Sequence, residues 1–242
     1  MRPVMHLLLF LLAMMTALPA AAGGAWPRGK GNVFASISWT TFGDVEGYLA
    51  QVSHPIVEGR RVELENELGL YAEIGLSERL TFGLDRHTRP ESDINAAIWF
   101  LRGSLGDLSW RNRYAVEIGL GPVQDWRGLE DTMMRTGFAW GRGFETRWAD
   151  GWVDVDAKAG WQMEAEEGHW KLDTTVGFKP GERNLVYLQM QSGGIESAPA
   201  YLRAVPTYVR RLGHGLSVES ALQLGLHNDD AQGVKLGTWF EF

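Results

Sequence analysis

The chain has 242 residues, no Cys, and 30 acidic against 23 basic residues, a formal charge of −7. This excludes a disulfide framework and lipid attachment through cysteine, and it argues against nucleic acid as a partner, since no basic block is present to neutralise phosphates. With 30 Gly and 11 Trp against 9 Pro, the composition leans toward strands and interfaces.

The first 22 residues, MRPVMHLLLFLLAMMTALPAAA, run from an Arg through an apolar core to small residues. That is the form of a secretory signal peptide cleaved after Ala22, and it leaves 23–242 as one domain. No later apolar run approaches the ~20 residues that a spanning helix needs.

A first strand is expected at 31–42 and a second at 60–76. The second alternates Leu64, Leu68, Leu70, Ala72 and Ile74 with Arg61, Glu63, Glu65, Glu67, Tyr71 and Glu73. Successive strand residues point to opposite faces, so one face is oily and the other charged. Strands follow at 79–87, 93–104 and 108–121; the last sets Tyr114, Val116, Ile118 and Leu120 against Arg111, Arg113 and Glu117. The next are 131–147, which carries Arg135, and 151–164, where Val153, Val155 and Ala157 alternate with Asp154, Asp156 and Lys158. Arg142 breaks the pattern on 131–147; its outward phase implies a bulge among Gly137, Gly141 and Gly143 or a side chain reaching toward an interface. Strands at 168–179, 184–193, 200–212, 215–227 and 232–242 complete twelve. Pro206 leaves the faces of 200–212 unassigned.

Connections after even strands are compact and those after odd strands longer, as in an up-and-down antiparallel barrel with both termini on the short-turn side. A soluble barrel would point Leu and Val inward, whereas a transmembrane barrel points them at lipid and its charges at the lumen. Periodicity alone does not separate the two. The polar face is rich in Gly and paired charges, and aromatics cluster near strand ends: Trp110, Trp148, Trp152 and Phe178 by the short turns, Trp161 and Trp170 by a long loop. These positions suit interfacial girdles.

The chain ends GTWFEF, with Phe240 and Phe242 in the apolar phase. This terminus, with the export signal and the alternating hairpins, resembles bacterial outer-membrane β-barrel proteins. The resemblance implies an all-β transmembrane barrel in a Gram-negative outer membrane, in contact with lipid and lipopolysaccharide. It also implies that Phe240 and Phe242 are read by the barrel-assembly machinery. In strand number the chain is similar to nucleoside channels, acidic-oligosaccharide porins and MetA-type phenol-degradation transport barrels. No motif matches any of these residue by residue, so no binding site is carried over.

The expected lumen-lining residues are Arg61, Glu63, Glu65, Glu67, Arg111, Arg113, Glu117, Arg135, Asp154, Asp156 and Lys158. Arg111 and Arg113 opposite Glu63 to Glu67 are the candidate constriction, because adjacent arginines on one face call for carboxylates. Acids outnumber bases in this set of strands, so the expected function is a narrow channel for small polar or weakly cationic solutes. The alternatives are a closed structural barrel and a hydrolase at the loop end, where Asp85, His87, His227, Asp229 and Asp230 gather. No spacing suggests a metal site or a cofactor loop.

Overall fold

The computed structural model describes residues 24–45, 47–48, 64–125, 127–229 and 232–242. The expected signal peptide, Arg61, Glu63 and Asp230 lie outside them. Twelve strands form: β1 Val33–Gly43, β2 Glu65–Gly75, β3 Leu80–Arg89, β4 Ile94–Leu105, β5 Asn112–Gln124, β6 Glu130–Glu145, β7 Asp150–Gln162, β8 Glu167–Lys179, β9 Asn184–Ile195, β10 Tyr201–Gly213, β11 Leu216–His227 and β12 Gln232–Glu241. Each pairs antiparallel with its sequence neighbours, and β12 returns to β1 to close the barrel. At the seam Val33 donates its N–H to the Phe242 carbonyl at 2.6 Å, and Phe242 N–H donates to the Val33 carbonyl at 3.1 Å. Closure leaves no free sheet edge, so backbone donors and acceptors along the wall are satisfied without water.

Burial is inverted relative to a soluble barrel. Glu219, Glu73, Asp154, Arg102 and Glu117 point inward and are all buried, while Ile118 and Leu236 point outward at 64 % and 59 % exposure. A soluble solvent outside would leave that apolar exterior uncompensated; hydrocarbon outside makes it favourable. Trp161, Trp170, Trp110 and Phe178 face outward near strand ends, where rings sit at headgroup level.

One expectation changes and two open points close. Trp152 shares the inward phase of Asp154 and is buried against Leu185, Val209 and Trp239, so it belongs to the lumen and not to a girdle. Arg142 sits in an unbroken register, opposite Asn112 on β5 and Val153 on β7. No bulge turns it inward; it faces outward near the short-turn end of β6, where its long side chain can reach the interface. β10 keeps one register to β9 across Pro206, which places Arg203, Val205, Thr207 and Val209 inward.

Candidate functional site

The lumen is built around a chain of alternating charges that links five neighbouring strands with the segment preceding β1. Arg28, just before β1, donates from Nε to Glu73 Oε2. Glu73 Oε1 accepts from Arg102 Nη1 at 2.5 Å and from the Tyr71 hydroxyl at 2.5 Å. Arg102 Nη2 reaches Glu117 Oε2 at 2.7 Å, and Glu117 Oε1 accepts from Arg135 Nη2 at 3.0 Å. Arg135 Nη1 continues to Asp85 Oδ2 at 2.7 Å. Toward the long-loop mouth, His87 Nε2 lies 2.8 Å from Asp85 Oδ1 and its Nδ1 3.3 Å from Glu67 Oε1. Glu67 Oε2 accepts from Arg89 Nε at 2.6 Å. Glu73 and Glu117, the fully buried carboxylates of this chain of charges, each meet two guanidinium groups, the condition under which a buried charge is tolerated.

The network explains where the expected site residues fall. Glu67, Glu117 and Arg135 are members. Glu65 accepts from the Ser92 hydroxyl at 2.9 Å near the mouth. Asp156 and Lys158 pair along β7 at 3.4 Å. Asp154 is buried and accepts the Ala25 N–H. Arg111 precedes β5 and is exposed in the short turn, and Arg113 enters the lumen only one residue after β5 begins. Glu67 stands near the start of β2, which descends from the long-loop end. Arg111 and Arg113 therefore do not form the expected constriction with Glu65 and Glu67, because β2 and β5 enter the barrel from opposite ends. Phe240 faces outward and Phe242 is the closing residue of the seam.

Arg28, Arg89, Arg102 and Arg203 were not among the sequence candidates. Arg102 was hidden because β4 is apolar on both faces, with Ile98 and Phe100 inward and Trp99 and Leu101 outward. One signal was available: it is the single charged residue of Ile94–Leu105, and a charge there does not face hydrocarbon. Arg28 and Arg89 lay outside the expected strands, and Arg203 lay on the strand whose faces were unassigned. Adding these four and moving Arg111 to a turn narrows the acidic excess on which a cation preference rested.

The short-turn half of the lumen is filled by the chain's own N-terminal segment. Ala25 is fully buried against Ala115 and Ala139, and Trp26 packs on the layer of Trp152, Leu185, Val209 and Trp239. Two wall glycines make room for it. A Cβ on Gly141 would overlap the Trp26 ring, and one on Gly75 would overlap the Gly29 carbonyl. Gly31 N–H donates to the Gly75 carbonyl at 2.8 Å, and Gly75 N–H donates to the Asn32 carbonyl at 3.0 Å. Arg28 lies over the Phe34 ring, 4.3 Å from its centroid, and pins the segment to the charge network.

The long-loop half holds space. A vestibule of about 900 Å3 opens between the loops, lined by Asn95, Gln124, Asp125, Gln162, Glu167 and Glu196 among others. Below it lies a chamber of about 420 Å3 that shares Met133, His169 and Ile195 with the vestibule and is walled by Arg135, Lys158, Lys171 and Tyr201.

No protein-family model and no curated protein matches the sequence. Solved structures do resemble the fold. An outer-membrane channel from Pseudomonas putida F1 aligns with a TM-score of 0.53 at 10 % identity, over 93 % of this chain and 100 % of that one. The NanC porin aligns at 0.54 and 10 % identity, over 86 % and 100 %. With the apolar exterior and the closed twelve-strand wall, this decides the fold. The chain has the fold of an outer-membrane β-barrel. LpxR from Salmonella typhimurium also aligns, at 0.50 and 10 % identity over 86 % and 100 %. At such identity the likeness is one of fold, and a barrel fold hosts more than one chemistry. What this outer-membrane barrel does is therefore argued from its lumen.

Proposed function

We propose that this outer-membrane barrel is a narrow, gated channel for small polar solutes. The observation that carries the reading is the open chamber with four basic side chains on its wall: a barrel filled for shape alone closes its lumen with side chains, whereas this one keeps about 420 Å3 open below a vestibule of about 900 Å3. Solute reaches the chamber between the long loops and stops above Ala25 and Trp26, so passage requires that segment to shift. The segment would be the gate, and opening it would break the Arg28–Glu73 ion pair, the packing of Trp26, and its backbone bonds to the wall and to Asp154 and Thr81. Lipopolysaccharide would surround the loop end, and the assembly machinery would engage the Phe242 strand.

The same segment favours a second reading, a structural barrel that stays shut. Catalysis at the loop end has less support: Asp85 and His87 do meet, but Asp85 is also held by Arg135, and both ring nitrogens of His87 face carboxylates. Planar-bilayer recording separates the first two. The gated channel gives rare, brief openings in the wild type and longer-lived ones in Trp26→Ala. No conductance from either protein, with both shown to be folded, sinks the channel reading.

A further inference from the structure

We propose that the chamber beneath the β9–β10 connection is a binding site for a small anion bearing carboxylate or phosphate oxygens. The inference rests on reading the lumen as a solute path and assigns the class of solute.

The register carries it. Lys158 on β7 lies directly opposite Lys171 on β8, and on the adjoining inward row Gly160 separates Arg135 on β6 from His169 on β8. Like charges directly opposite on a sheet repel. The next row toward the short turns repeats the problem with the other sign, Asp156 opposite Asp173. Relief comes along each strand: Lys158 Nζ lies 3.4 Å from Asp156 Oδ2, and Lys171 Nζ lies 2.8 Å from Asp173 Oδ2. Pairing along the strands leaves two bands, an acidic one toward the N-terminal segment and a basic one toward the mouth.

Among the described residues, every charged side chain on the chamber wall belongs to the basic band, beside apolar Met133, Trp170, Ile195, Ala198 and Pro199. Arg135, Lys158, Lys171, His169 and Tyr201 line it, and no carboxylate side chain does. Two of these residues carry buried nitrogens with no hydrogen-bond partner, Arg135 Nε and His169 Nε2. Arg135 directs one bond from each terminal nitrogen to Asp85 and Glu117, which leaves Nε as its one nitrogen without a partner. The Lys171 side chain is 42 % exposed although it faces inward, as expected of an ammonium group that borders open space. The vestibule above is acidic, with Asp125, Glu166, Glu167 and Glu196 beside Arg127. The basic band is then the first level below the mouth where an anion meets more cations than carboxylates. An anion placed between Lys158 and Lys171 cancels their repulsion and gives Arg135 Nε an acceptor, through charge-assisted bonds; His169 adds a donor in the tautomer that carries its proton on Nε2. The volume suits a small organic acid and excludes a polymer chain folded on itself.

The test is direct binding to the full barrel in detergent or nanodiscs, followed by calorimetry and by the thermal midpoint. The probes are succinate and inorganic phosphate, with tetramethylammonium as the cation control. Saturable binding of succinate or phosphate, with no effect of the cation, is expected. The affinity should fall by about tenfold or more in Lys158→Gln/Lys171→Gln, as for loss of charged hydrogen bonds. Lys171→Arg keeps the charge and should keep the binding, which distinguishes the site from a general loss of fold. Binding of succinate alone identifies a carboxylate site, and binding of phosphate alone a phosphate site. No saturable binding by wild type, or equal binding by the double variant, overturns the proposal. Binding without conductance would retain this site while sinking the channel reading, and conductance without binding would do the reverse.

Discussion

Arg102 is the joint of the charge network, and removing it gives the sharpest energetic test. The side chains of Arg102, Glu73 and Glu117 are 5 %, 1 % and 4 % exposed, so solvent does not screen them. Arg102→Met keeps most of the apolar stem over Phe100 but deletes both ion pairs and the contact between its guanidinium and that ring, 4.9 Å from the centroid. Removing one partner of a buried ion pair costs about 3–5 kcal/mol, because the other charge stays buried. Here Glu73 keeps Arg28 and Glu117 keeps Arg135, so the loss should fall at the low end, about 3 kcal/mol. Urea unfolding of the refolded barrel in micelles, followed by tryptophan fluorescence and by the gel shift between folded and boiled protein, measures it. Arg102→Met/Glu117→Gln should lose less than the sum of the two single changes, with a coupling of about 1–3 kcal/mol. A midpoint for Arg102→Met within about 0.5 kcal/mol of wild type, in the range of an ordinary surface change, would refute the view that the network is a buried, mutually dependent unit.

The exterior predicts its own result: Ile118, the middle residue of β5, faces outward, so Ile118→Arg should destabilise the barrel by about 2–4 kcal/mol in lipid while Ile118→Leu stays near neutral. Deleting Phe242 removes the two backbone bonds at the seam, so the truncated barrel should lose about 1–3 kcal/mol and refold more slowly in vesicles, read by the same gel shift. His87→Ala leaves Asp85 on Arg135 and Glu67 on Arg89, so the fold should persist; release of fatty acid from phospholipid vesicles by wild type but not by this variant would revive the hydrolase reading.

The wall was legible in the sequence because the period of two is a local property, and outward Val116, Ile118 and Leu120 against inward Glu117 declare both faces of β5 at once. β4 was opaque for the opposite reason: Ile98, Phe100 and Trp99 make both faces apolar, which hid Arg102. The placement of Arg113 and Glu67 at opposite ends is a matter of strand direction, and a list of inward residues does not carry height until the hairpins are threaded. Trp152 was misplaced because its type suits an interface, although its phase with Asp154 already pointed inward. Least legible was the segment around Ala25 and Trp26. It has no periodicity of its own, and its place is set by Gly75, which carries no signal in the sequence, and by Gly141, which reads there as a bulge candidate.

The chain lacks cysteine, so single thiols can report how far water reaches down the lumen. Met133→Cys sits at the chamber, and Ala139→Cys sits on the same inward phase of β6, packed in one cluster with Ala25 and Trp26. A membrane-impermeant thiol reagent added at the loop side should label the first quickly and the second only when Trp26 is also replaced by Ala. Equal labelling of both in the otherwise wild-type protein would contradict closure by the N-terminal segment, and no labelling at Met133→Cys would contradict an open chamber.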